Sequence, residues 1–172
     1  MAHNHHSPSS AIKVVTGSEA ACLIPQVWPM LDAKRRDMLL WDVDPQLKAR
    51  FFQKYLAAAD VACIAWSDGQ VVGLAWVFGM GRHTRCGVIH MTFWGEAEEA
   101  RVLGRAFLQR LARDGWQSVL AMLPVPFRHM RRYVADIGMT CMGRLPGACV
   151  LAGHNNRVCA GEFWKWEAQA WP

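Results

Sequence analysis

The chain has 172 residues, 52% hydrophobic and 19% charged, with a net charge of +5. That length suits about one domain with a real core, and the apolar fraction excludes a disordered chain. No apolar run nears the ~18 residues needed to cross a bilayer, and with 14 Gly, 8 Pro and no repeat the collagenous and low-complexity classes go too.

Residues 1–11 read as a flexible polar terminus. His3, His5 and His6 lie there among Asn, Ser and Pro, with no scaffold to fix a metal site. The segment has neither the basic start nor the apolar stretch of a signal peptide, so a cytoplasmic protein is expected. Residues 12–172 read as a single domain. The stretch 12–16 is a β-branched strand. Ser18 is placed to cap a helical stretch with Leu23, Ile24, Val27 and Trp28, broken by Pro25 and Pro29. The charged patch 32–37 reads as solvated surface. Asp44-Pro45 signals a helix start, Asp as N-cap and Pro at the first helical position. That helix carries Leu47, Phe51, Tyr55 and Leu56 on one face and ends near Ala59.

Residues 61–66 and 71–78 are apolar strands, and Asp68-Gly69 between them is a strong hairpin signal. After a loop, residues 85–93 form a strand with Ile89, Met91 and Phe93 on one face and Val88, His90 and Thr92 on the other. Residues 96–113 form a helix with Ala100, Leu103, Phe107 and Leu111 on one stripe. Acids lead it and Arg110 and Arg113 close it, as the helix dipole prefers. A strand at 116–123 follows. The next helix has Phe127, Met130, Val134 and Ile137 at helical spacing and stops at Gly138. The tail reads as two strands around residues 154–156, with Trp164 and Trp166 sharing one sheet face. This order predicts an α/β protein of the α+β kind. Its sheet is mixed, mostly antiparallel and twisted, with a strand-helix-strand crossover in its second half and helices on both faces.

The six cysteines form no CxxC pair and have no zinc-finger spacing. They read as reduced, mostly buried small hydrophobes, and no metal is expected.

Arg101-Val102-Leu103-Gly104-Arg105-Ala106 follows a strand and lies in a helix start. Arg101, Gly104 and Ala106 fill, in order, the spacing Arg/Gln, two residues, Gly, one residue, Gly/Ala. With the later helix ending at Gly138-Met139, the segment 87–147 resembles the GNAT (Gcn5-related N-acetyltransferase) superfamily. The order of elements from about residue 12 to 166 resembles that fold as well. A narrower likeness, to small GNAT-like proteins of phage and prophage, rests on Ile89-His90 and Phe93-Trp94.

The resemblance implies an acyl-CoA-dependent N-acyltransferase that carries acetyl from acetyl-CoA, or another acyl-CoA, to an amine. It implies that residues 101–106 hold the pyrophosphate and that backbone N–H groups along Met91, Thr92 and Phe93 polarise the thioester. A helix N-terminus is suited to phosphate, and glycine lets the backbone come close. The family commonly opens the later helix with Asn and carries Tyr seven residues on. Those positions here are Phe127, counted with the cofactor site, and Val134. Transfer also needs a base for the amine and a proton for the thiolate. His90, on the strand beside the acyl site, is the candidate base, and Tyr133 the candidate acid.

Two other classes stay open. One is a GNAT-shaped protein without catalysis, used for binding or structure. The other is nucleic-acid binding through Arg128, His129, Arg131 and Arg132 on the outer face of the later helix, although such a row is more often a solvated face. Trp164, Trp166 and Trp171 could form a dimerising edge or serve as core. The positive charge is concentrated: residues 101–132 hold seven arginines and one acid, Asp114. That surplus fits a polyanionic cofactor.

Overall fold

The computed structural model describes residues 10–30, 49–81, 84–151 and 154–168. Strand β1 (Ser10–Val15) begins two residues before the expected start. Ser10 and Ala11 pair with Ser67 and Trp66, so both leave the terminus and join the sheet. Helix α1 (Gly17–Ala21) is capped by Thr16, not Ser18. The Glu19 N–H donates to the Thr16 hydroxyl at 3.2 Å, and the Thr16 N–H donates to the Glu19 carboxylate at 2.8 Å. This reciprocal box satisfies two N–H groups that a helix end otherwise leaves open. The helical stretch breaks at Cys22 and Leu23, just ahead of Pro25, which opens α2 (Ile24–Val27), where its missing N–H costs nothing. A short 3-10 turn, Trp28–Met30, follows. The Asp44-Pro45 helix start, the patch 32–37 and Leu47 lie outside the described residues. In α3 (Ala49–Ala57) the buried side chains are Phe52 and Leu56, while Phe51 faces outward.

Strands β2 (Val61–Ser67) and β3 (Gln70–Gly79) form the expected hairpin. Asp68 and Gly69 both take positive φ, 47° and 79°, the pairing that a tight two-residue hairpin turn requires. Then come β4 (Cys86–Phe93), α4 (Ala97–Arg113), β5 (Ser118–Pro124), α5 (Arg128–Asp136), β6 (Thr140–Leu151) and β7 (Arg157–Glu167). Gly138, at φ 97°, ends α5. Its N–H donates to the Ala135 carbonyl at 3.0 Å and the Met139 N–H donates to Val134 at 3.0 Å, which closes the last turn.

The seven strands lie in the order β1-β2-β3-β4-β5-β7-β6. Every neighbouring pair is antiparallel except β4 and β5. Strand alternation divides the core in two. Ala62, Ile64, Leu74 and Trp76 pack under α1, α2 and α3. Cys63, Ala75, Val77 and Ile89 face the other way, with Phe107, Leu108 and Leu111 of α4 and Val134 of α5. Helices therefore cover both faces, as the order of elements predicts. Trp164 is buried in the second core and Trp166 packs against it, so these two rings are core and not a free edge. Trp171 lies outside the described residues.

Candidate functional site

The parallel pairing of β4 and β5 is brief. It joins Cys86, Gly87 and Val88 to Ser118, Val119 and Leu120, and goes no further. From Ile89 onward the edge of β4 that faces β5 has no strand partner among the described residues, while its other edge stays paired to β3 up to Phe93. Backbone N–H and C=O groups point alternately to the two sides of a strand. Part of the β4 backbone therefore faces the gap with its polar groups unsatisfied by the sheet. The parting strands open a cavity of about 470 Å³, within the range of small-molecule sites.

Residues 88–93 of β4 form one wall and Ala121, Met122 and Leu123 of β5 another. Gly95, Ala97, Ala100 and Arg101 close it from the start of α4, and His129, Met130, Arg132, Tyr133 and Val134 from α5. Most of the lining is apolar. Its ionisable groups are two arginines, two histidines and one tyrosine, with no carboxylate among the described lining residues.

The structure thus brings together His90, Met91, Thr92, Phe93, Arg101 and Tyr133 from the expected site. His90 stands among aromatic rings. It stacks on Trp76 at 5.2 Å and meets the edges of Tyr55 and Phe78, each at 6.2 Å. Its Nε2 lies 3.4 Å from the Tyr55 hydroxyl. Tyr133 reaches from α5 to α4, where its hydroxyl donates to the Ala100 carbonyl at 3.2 Å. Burial pushes the Tyr133 phenol upward, and the Cys63 thiol raises it further. The phenol therefore keeps its proton at neutral pH and commits it to Ala100.

Residues 101–106 are not a strand-to-helix turn. Helix α4 starts at Ala97 with Glu96 as N-cap, so Arg101 is already in the second turn. The acids that lead the helix start it one turn before the motif. Gly104 lies inside the helix, where a Cβ would collide with the Tyr133 hydroxyl and meet Ile137 at 3.2 Å. Its small size makes room for α5. Leu103 is buried, Val102 is exposed, and neither they nor Gly104, Arg105 and Ala106 line the cavity. Arg105 donates twice to the Asp136 carbonyl, at 2.7 and 3.1 Å. Phe127, expected on the apolar stripe, is instead the N-cap of α5, with its ring 6.2 Å from His129 and 6.4 Å from His154.

The basic row on α5 also divides. Arg131 turns inward and donates to the buried Glu162 at 3.0 Å, while His129 and Arg132 line the cavity. The cavity-lining roles of Ala100, Met122 and Met130 carry no sequence signal beyond ordinary apolar character.

No family profile and no curated protein sequence matches the chain. Solved structures do match. A ribosomal L7/L12 alpha-N-protein acetyltransferase in complex with coenzyme A superposes with a TM-score of 0.71 at 13% identity, covering 95% of this chain and 97% of that one. An acetyltransferase of the GNAT family from Streptococcus pneumoniae gives 0.66 at 12% identity, covering 92% and 99%. A ribosomal-protein-S5-alanine acetyltransferase from Vibrio fischeri gives 0.67 at 9% identity, covering 95% of both chains. The narrower likeness to phage proteins finds no support in these comparisons. What the matches establish is the fold: a mixed, mostly antiparallel seven-stranded sheet of the GNAT acetyltransferase type.

Proposed function

We propose that this protein is an acyl-CoA-dependent N-acyltransferase that moves an acetyl group from acetyl-CoA to an amine. The observation that carries the reading is the gap between β4 and β5, with its unpaired strand edge and apolar walls. An acyl thioester, when bound, supplies the activated carbonyl. The free backbone groups along Met91, Thr92 and Phe93 suit the orientation of that carbonyl, and N–H donors there would stabilise developing negative charge. His90 lines the same cavity, fixed by its aromatic neighbours, and takes the proton from the attacking amine. Tyr133 holds a proton at the opposite wall and can deliver it only by leaving the Ala100 carbonyl. The amine itself is unidentified, and a cytoplasmic location belongs to the same proposal.

A second reading has an observation of its own. Gly104 is filled from outside by Tyr133, and Arg101 is held by two acids. Both take the motif away from holding a cofactor and favour a GNAT-fold protein used for binding or structure without catalysis.

One experiment separates these. The thermal midpoint is measured with and without CoA and acetyl-CoA, and thiol release is followed across a panel of amines. A ligand at 100 times its Kd stabilises the fold by ~2.7 kcal/mol. A shift with thiol release supports the enzyme. A shift without release supports the binding protein. No shift at millimolar ligand removes the enzyme reading.

A further inference from the structure

Arg101 arrives at the cavity already neutralised. Its Nη1 donates to Glu98 and its Nε to Asp136, each at 2.9 Å. A second negative group stands at the start of α4. The Glu99 carboxylate folds back until one oxygen lies 2.7 Å from where a Cβ on Gly95 would be. A phosphate approaching that helix end would meet a set in which one cation, Arg101, already faces two carboxylates, Glu98 and Asp136.

The facing wall is different. Arg132 of α5 lines the cavity and is exposed. The ion pairs of the described residues take up Arg101, Arg110, Arg131, Arg144 and Lys165, and Arg132 is in none of them. A guanidinium outside the ion pairs of the described residues, at the rim of a cavity with no carboxylate among its described lining residues, attracts an anion. Its planar set of donors matches phosphate oxygens in paired hydrogen bonds.

The geometry points to Arg132, and not Arg101, as the cation that holds the phosphate groups of the ligand. This rests on the acyl-CoA reading and deepens it: the anionic end of the cofactor is gripped from α5 instead of from the start of α4.

The test is calorimetric titration of CoA into the wild type, Arg132→Ala, Arg132→Lys and Arg101→Gln, each at several salt concentrations. Arg132→Ala should weaken CoA by ~10-fold or more, the loss expected for a charge-assisted contact. It should also flatten the dependence of Kd on salt, because the screened interaction is gone. Arg132→Lys should restore the salt dependence and part of the affinity. Arg101→Gln should change Kd less than Arg132→Ala does. An unchanged Kd in Arg132→Ala overturns the proposal, as does a loss without flattening, which would mark Arg132 as wall packing. A larger effect from Arg101→Gln overturns it too. A wild type that binds no CoA at any salt instead removes the cofactor reading itself.

Discussion

The imidazole of His90 lies flat on the indole of Trp76, with ring centroids 5.2 Å apart and planes 4° from parallel. Trp76 is wholly buried, so it is a rigid shelf that sets the plane of the imidazole. Tyr55 and Phe78 close on the same ring by their edges. A base held in one plane loses little entropy on meeting its substrate. His90→Ala should therefore lower turnover at saturating acyl-CoA by ~100-fold or more, while the Kd for CoA stays near the wild-type value. Steady-state kinetics beside a binding titration decide it, and undiminished turnover would take His90 out of the reaction.

Gly104 and Tyr133 form a fitted pair between α4 and α5. A methyl group on Gly104 would run into the Tyr133 hydroxyl. Gly104→Ala should cost about 1–3 kcal/mol, the usual penalty for overpacking. Tyr133→Phe removes the obstructing oxygen and should recover part of that loss in the double variant. Urea unfolding of the two single variants and the double gives the coupling directly. Additive losses would show that the two residues do not meet. A loss of CoA affinity with unchanged stability would return Gly104 to a phosphate-binding role.

Sequence patterning reached what is local. Asp68-Gly69 announced its hairpin, and the alternation in 85–93 separated Ile89 from His90 correctly, because both are properties of a few adjacent residues. The parting of β4 from β5 is not local. Periodicity tells which face a side chain takes, but not how many positions two strands share. The Arg101 motif was legible as a pattern and not as a place. Its meaning depends on Asp136, 35 residues away, which claims the guanidinium. The aromatic setting of His90 was hidden for the same reason, since Tyr55 comes from a helix 35 residues earlier.

The cysteines should divide by reactivity. Burial pushes the Cys63 thiol up to about 12, so almost no thiolate exists at pH 8, and the side chain is also out of reach. Cys22 and Cys141 are exposed. Cys86 and Cys159 are half-buried and only Cys63 and Cys149 are buried, so the expectation of a mostly buried set does not hold. Iodoacetamide at pH 8 should alkylate Cys22 and Cys141 in the native protein and reach Cys63 only in denaturant. Peptide mapping by mass spectrometry reads the result. Native labelling of Cys63 at the rate of Cys22 would mean that the sheet opens there.

Glu162 ties the last hairpin to α5. Its buried carboxylate accepts from Arg144 at 2.6 Å and Arg131 at 3.0 Å. Burial opposes its ionisation, but the bonds and charges of Arg144 and Arg131 outweigh burial and hold the carboxyl below its usual range. The sign of the linkage follows. A carboxyl with a depressed folded value adds stability above its unfolded pKa of ~4.3, and that stability is lost as pH falls through the folded value. Replacing the carboxylate by an amide keeps one acceptor oxygen but takes the counter-charge from two arginines, and Arg131 Nε is already buried without a partner among the described residues. Glu162→Gln should therefore cost about 1–3 kcal/mol at pH 7, the range for losing hydrogen bonds to a charged group. The gap between wild type and variant should narrow as pH falls below that unfolded pKa and through the lower folded value, as the wild-type carboxyl takes up its proton. Thermal midpoints from pH 7 to pH 3 measure this, and a gap that stays constant over that range would show that the carboxylate contributes no pH-dependent stability.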